Sequence, residues 1–420
     1  VYTLGKLKAP VIYFVGMGYK DEANFENIKE NFAKALKSIE EDELVIDLKR
    51  IVTDDLSLEV LAEIITESIL LSNYDYKKED TTHYELLAKQ DIKQNIESAK
   101  ITSTAINRAK TLANTPPNHM TPLDLEQEVI NLFAKEDVEI SILDNAKLKE
   151  IKAGGILGVN KGSIHEARLI VLKYNGANDE DYTALIGKGV TFDTGGYSLK
   201  PSNSMGMMKT DMHGAASVLG AFEIIVKKKM KANVYCIIPT TENMISGEAY
   251  KVDDVLTMLN GKTVEITNTD AEGRLILADA LTYAQTLNAK SLIDVATLTG
   301  ACVVGIGSDH TGVWSNNDAF YDKFLNTALD AGELTWRMPL HDVFNQPLKS
   351  SPVADLVNSA APKGGGANVA ASFLSEFVNK DIDWIHLDIA GTSSTKEKTL
   401  FNPKGATGVM VKTLAHYFEK

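Results

Sequence analysis

Apolar positions along the chain recur at two spacings, and the switches between them outline its elements. Val11-Ile-Tyr-Phe-Val15 is a continuous apolar run ended by Gly16 and Gly18, which predicts a short buried strand. Helical spacing follows near Glu22–Ile39, strand spacing over Leu44–Leu48, and helical spacing again over Leu56–Leu71. The polar stretch Tyr74–Asp80 is a candidate edge of this small α/β unit. A long helical pattern then runs from Asp91 to Ala113 and stops in Asn114–Pro122, where three prolines exclude a continuing helix. Thr121-Pro122 opens the next helix, with proline in its first turn.

Beyond that point strands and helices alternate. Strands are expected at Val138–Leu143, Arg168–Tyr174, Tyr182–Ile186, Ala232–Ile238, Thr263–Thr267, Ser291–Ala296 and Trp384–Asp388. Helices are expected at Ala215–Lys227, Arg274–Gln285 and Ala367–Val378. This order predicts an α/β fold: a C-terminal domain with a mostly parallel central sheet flanked by helices, plus a smaller, shortened N-terminal α/β domain. The domains are placed at 1–90, a linker helix and Pro-rich connector at 91–120, and a larger second domain at 121–420. Ligands of such sheets bind at the carboxyl ends of the strands.

Composition narrows the function classes. The 420 residues suit two domains, and 44% hydrophobic with 24% charged residues is an ordinary core-forming balance. A net charge of −14 argues against work on nucleic acid or anionic membrane. Cys236 and Cys302 both lie in apolar runs and offer neither a disulfide framework nor a cysteine zinc site, which fits a reducing, cytoplasmic setting. No apolar run approaches the roughly 18 residues of a membrane span. No basic-then-apolar leader opens the chain, which starts at Val1, and an N-terminal part is expected to be removed or naturally absent.

Three glycine-containing loops carry the polar clusters: Gly187-Lys-Gly-Val-Thr-Phe-Asp-Thr-Gly-Gly196, Met208-Lys-Thr-Asp-Met-His-Gly-Ala215 and Asn268-Thr-Asp-Ala-Glu-Gly-Arg274. Any one of these acids reads equally well as a helix cap. Together, Asp193, Asp211, Asp270 and Glu272 at one sheet edge would repel strongly without cations among them. Oxygen ligands select Mg²⁺, Mn²⁺ or Zn²⁺, and two divalent ions would balance four carboxylates and suit metal-assisted hydrolysis.

These loops resemble the leucyl aminopeptidase family of two-metal exopeptidases. Asn268–Leu275 matches the family signature, and Gly187–Asp193, Ser198-Leu-Lys-Pro201, Met208–Met212 and Ala296-Thr-Leu-Thr-Gly300 follow the family's order. The resemblance covers about residues 95–420 strongly, and earlier residues match only the later half of the family's first domain. It implies that Asp193 and Glu272 bridge two metals, that Asp270 completes the looser site, and that Lys188 and Asp211 complete the tighter one. Mn or Zn is implied, with Mg or Co as further options. Lys200 would stabilise the oxyanion, and Arg274 would hold a bicarbonate ion as general base. Met208 and Thr297 would line the pocket for the first side chain, and Leu298 and Gly300 would bind the peptide backbone. The implied activity is release of N-terminal residues from short peptides with a free N-terminus. The implied assembly is a homohexamer, a pair of trimers with the active sites facing an inner cavity.

Some positions depart from the family. His213 stands where smaller residues are usual, Gly206 where an acid is common, and Lys251-Val-Asp-Asp254 replaces an Arg-Pro-Gly-Asp turn. His213 is expected to pack rather than ligate. Asn260-Gly-Lys-Thr263 lacks the first glycine of a phosphate loop, and His165-Glu166 lacks the second histidine of a zincin. Gly364-Gly-Gly366 reads as a close-packing or interface loop, and His119 as structural. Two alternatives stay open at this point: a two-metal phosphoester hydrolase, and an inactive scaffold of the same fold.

Overall fold

The computed structural model describes every residue except 17–23, 40, 42, 51–55, 79–81, 179–180 and 420. The chain forms two compact units, Val1–Thr104 with Lys398–Pro403, and Ala105–Glu397 with Lys404–Lys420.

In the first unit, strands β1 (Glu43–Asp47) and β2 (His83–Leu87) pair in parallel. Helices Phe25–Leu36 and Leu58–Ser72 supply Phe32, Leu36, Ala62, Ile65 and Ile69 to its core. The strand expected at Val11–Val15 does not form. Val11 makes only an isolated bridge to Tyr2, and Phe14 is 80% exposed. An apolar run becomes a strand only where a neighbour completes its ladder, and no described strand lies beside this one. Gly18 and the start of the helix expected at Glu22–Ile39 lie outside the described residues.

The second unit is built on a nine-stranded sheet. Its strands are β3 (Glu139–Leu143), β4 (Arg168–Asn175), β5 (Tyr182–Gly187), β6 (Gly189–Asp193), β7 (Asn233–Asn243), β10 (Ser291–Ala296), β11 (Thr311–Ser315), β12 (Thr335–Arg337) and β14 (Asp383–Asp388). The order is β12-β11-β14-β10-β5-β7-β4-β3, with β6 also paired to β7. The central strands β14, β10, β5 and β7 are parallel, and β11 and β4 turn antiparallel on either side. A separate small sheet joins β8 (Val255–Thr257), β9 (Thr263–Glu265) and β13 (Leu356–Val357). The strand expected at Thr263–Thr267 belongs there, not to the central sheet.

Alternation along the central strands sorts the two faces. Ala184, Ile186, Tyr235 and Ile237 share a core with helices Gly154–Asn160, Gly273–Thr286 and Gly366–Ser375. Leu185 and Cys236 point the other way, toward the face where helix His213–Lys227 packs against β5 and β10. Thr121 caps helix Pro122–Phe133 through a reciprocal pair with Asp124, as the Thr-Pro signal predicted. Among the described residues, no helix is long and apolar enough to cross a membrane.

Candidate metal centre

The parallel strands β5, β10 and β14 end together, and the candidate residues gather at those carboxyl ends. Pairing breaks once between β5 and β6, at Lys188. Its N–H donates to Val295 O (3.0 Å), and its carbonyl accepts the Ala215 N–H (2.9 Å). The residue is thus fixed between β10 and the start of helix His213–Lys227, and its side chain is 3% exposed. Lys188 Nζ lies 2.9 Å from Asp211 Oδ1 and 2.8 Å from Glu272 Oε1, and donates to Thr297 O at 2.9 Å. Lys200 Nζ lies 2.7 Å from Asp193 Oδ2 and 2.5 Å from Asp270 Oδ1. Asp193 Oδ1 accepts the Gly195 N–H (2.8 Å) and Asn243 Nδ2 (2.8 Å). Oxygens of Asp193, Asp270 and Glu272 lie within 4.8 Å of one another.

Burial and mutual repulsion dominate the electrostatics. Burial raises Asp211 well above the usual carboxylate range; Lys188 opposes this, and Glu272 and Asp193 add to it. Burial and the Glu272 charge likewise raise Asp193, and burial raises Asp270 against the pull of Lys200. Burial works against the charge on both lysines, but the facing carboxylates outweigh it. Asp211 and Glu272 hold the Lys188 ammonium above its usual range, and Asp193 and Glu272 do so for Lys200. The donor set fits hard divalent cations: three clustered carboxylates, and a buried Asp211 Oδ2 with no hydrogen-bond partner.

The loop Asn268–Arg274 reaches the cluster between two clasps. On one side Ser198 N–H donates to Thr269 Oγ1 (2.7 Å) and Thr269 N–H donates to Ser198 Oγ (3.0 Å). This pairs the segment bearing Lys200 with the segment bearing Asp270. Tyr250 Oη donates to Thr269 O (2.7 Å) from beneath. On the other side Asn358 meets the loop backbone, and Arg274 Nη1 donates to Asn358 O (2.8 Å). Arg274 Nε is buried with no hydrogen-bond partner, and burial lowers the guanidinium to about 10.

The other expected residues flank the same place. Thr297 Oγ1 donates to Asp211 Oδ1 (2.8 Å), while Leu298 N–H donates to Asp388 Oδ1 (3.1 Å). Gly300 is exposed at the start of helix Gly300–Ile306. Met208 is half-buried and opens the turn Met208–Met212 that carries Asp211. His213 is fully buried, and its Nε2 accepts the Gly408 N–H (3.2 Å), so that nitrogen bears no proton and faces backbone. Burial lowers its pKa to about 3. His165 pairs with Glu242 (2.9 Å), and the Gly364–Gly366 loop packs against Phe344 and Ala301. Sequence reasoning missed Asn243, Asn358 and Asp388, whose partners are brought near only by strand pairing.

Known proteins match most of the chain. Residues 107–415 match the catalytic domain of the cytosol aminopeptidase family, and residues 1–80 match its N-terminal domain. The probable cytosol aminopeptidases of Bacillus subtilis (strain 168) and Bacillus licheniformis are each 43% identical to the chain. Each comparison spans 97% of this chain and 85% of the relative. Among solved structures, the bottromycin maturation enzyme BotP matches with a TM-score of 0.89 at 30% identity. Its complex with Mn matches with 0.90 at 31% identity. Each match covers 96% of this chain and 89% of the other.

Proposed function

The chain belongs to the cytosol aminopeptidase family and is a metal-dependent aminopeptidase, and from that premise we propose how its residues divide the work. Asp193 and Glu272 would be shared between two divalent ions, Asp270 would complete the ligand set of one, and Lys188 with Asp211 that of the other. Mn²⁺ or Zn²⁺ is the proposed pair, with Mg²⁺ or Co²⁺ as substitutes. The observation that carries this reading is the convergence of Asp193, Asp270 and Glu272 oxygens within 4.8 Å. Lys188 would ligate as a neutral amine, which requires a cation's field to outweigh the carboxylates that otherwise keep it charged.

Bound divalent ions supply the Lewis acidity that polarises a scissile carbonyl and acidifies water. Lys200 keeps its charge at neutral pH and meets the developing oxyanion. The substrate's free α-amine lies at Asp211, whose Oδ2 is buried and unpartnered. That requirement limits cleavage to the N-terminal residue. Arg274, with its Nε unpartnered, is assigned to hold a bicarbonate ion that supplies the general base. Met208 and Thr297 line the first side-chain pocket, and Leu298 and Gly300 bind the peptide backbone. The relatives' shared description as probable cytosol aminopeptidases supports a cytoplasmic peptidase; short peptides as its substrates and a homohexameric assembly complete the proposal.

Leucine p-nitroanilide and p-nitrophenyl phosphate, each offered with Mn²⁺ before and after chelation, test the reading. Amide turnover that disappears on chelation and returns with Mn²⁺ or Zn²⁺ is expected. An Asp270→Ala protein with an unchanged peptidase rate would sink the ligand assignment. A stable, active monomer in light scattering would sink the hexamer.

A further inference from the structure

Asn358 lies 90 residues from Asn268 in sequence yet touches its loop directly. It follows β13, whose pairing with β9 is extended by Asn358 N–H donating to Glu265 O (2.9 Å). That registers Asn358 beside the chain leaving β9 for the metal loop. The residue is fully buried. Its Oδ1 accepts the Thr267 N–H (2.8 Å), the Thr267 hydroxyl (3.2 Å) and the Asn268 N–H (3.3 Å). Its Nδ2 donates to Asn268 O (2.7 Å) and Ala271 O (3.4 Å). Its own carbonyl accepts Arg274 Nη1. One buried residue therefore fixes the entry to the loop, its middle and the arginine at its end.

We infer that Asn358 is a positioning residue, which sets Asp270 and Glu272 relative to Arg274 so that ligand oxygens and guanidinium face one site. Only an amide can donate to two carbonyls and accept from two N–H groups at once in this place. Asp270 and Glu272 flank Ala271, whose carbonyl Asn358 holds, so losing the amide lets the segment between both ligands relax. Groups that orient ligands from behind typically change metal affinity by about tenfold or more when removed. The inference rests on the ligand assignment proposed above.

The full chain carrying Asn358→Ala is compared with Asn233→Ala, which removes a buried asparagine from the opposite end of β7. Chelated protein is titrated with Mn²⁺, with free Mn²⁺ read by its paramagnetic resonance signal, and kcat and KM are measured at saturating Mn²⁺. Asn358→Ala is expected to weaken Mn²⁺ binding about tenfold or more and to lower kcat, with KM for leucine p-nitroanilide held within about twofold. Asn233→Ala is expected to lower the melting temperature without changing Mn²⁺ affinity. If Asn358→Ala is insoluble, Asn358→Ser, too short to span the loop, carries the same test. Unchanged Mn²⁺ affinity and kcat in the Asn358 variant overturn the inference, as does a change matched by Asn233→Ala. An Asp270→Ala arm separates the two ideas. Unchanged affinity there defeats the ligand assignment itself, whereas loss there with none at Asn358 defeats the positioning role alone.

Discussion

A Cβ at Gly273 would lie 2.5 Å from Lys188 Cε and 2.7 Å from Lys188 Nζ. The first residue of helix Gly273–Thr286 is therefore glycine because the proposed lysine ligand occupies the space a side chain needs. The neighbour that must yield is the end of a flexible side chain, so Gly273→Ala should cost only about 1 kcal/mol of stability. Activity should suffer far more, because the displaced amine leaves Asp211 and Glu272, and misplacement by about 1 Å can cost roughly a hundredfold. Melting temperature and kcat/KM on leucine p-nitroanilide check both halves. A variant with wild-type kcat/KM would show that the placement of Lys188 is immaterial.

Lys200 sits between Asp193 and Asp270 with its charge reinforced. If it meets an oxyanion only as the carbonyl is attacked, Lys200→Ala should lower kcat by about 10²–10³ and leave KM nearly unchanged. Steady-state kinetics at saturating Mn²⁺ decide the point. A rise in KM at constant kcat would instead assign Lys200 to substrate binding.

Asp279 is buried in helix Gly273–Thr286, where its Oδ2 accepts the Ile156 N–H (2.9 Å) and its Oδ1 the Leu259 N–H (2.8 Å). Burial outweighs these bonds and pushes the carboxyl up to about 7 from an ordinary 3.8. The folded protein thus holds this proton more tightly than the unfolded chain. The associated stability is fully present below about pH 4 and is lost as pH rises toward 7, on the order of 4 kcal/mol. Urea unfolding of wild type and Asp279→Asn at pH 5 and pH 8 isolates the effect. Wild type should lose stability relative to the variant at the higher pH, and a pH-independent difference would contradict it.

The loops that carry the candidate ligands were legible because their chemistry is local. Asp270, Glu272 and Arg274 sit within five residues, and glycines mark the turns between strand and helix. The central strands were legible for a related reason, as buried parallel strands read as apolar runs. Gly189–Asp193 read as part of a loop, yet it continues the sheet by pairing with the outer part of β7. Val11–Val15 failed in the opposite sense, being apolar with one isolated bridge and no neighbouring strand among the described residues. Asn358 and Asp388 gave no signal, since an isolated Asn or Asp acquires meaning only when β13–β9 and β10–β14 pairing delivers its partners.

Asp388 ends β14 beside the end of β10, and is nearly fully buried. Its Oδ1 accepts the Leu298 N–H (3.1 Å) and the Ala390 N–H (3.1 Å), and its Oδ2 accepts the Thr299 hydroxyl (2.7 Å). Turning the Leu298 N–H toward Asp388 commits that peptide's orientation, while Thr297 in the same turn donates to Asp211. Asp388→Ala would leave the Leu298 N–H and the Thr299 hydroxyl without this acceptor, at about 1–3 kcal/mol for each group left buried and unpaired. It removes no proposed ligand and no group that meets the oxyanion. The expected result is therefore a raised KM for leucine p-nitroanilide, with Mn²⁺ affinity unchanged and kcat reduced less than KM is raised. Loss of Mn²⁺ binding in this variant would instead place Asp388 in the support of the metals, acting through Thr297 and Asp211.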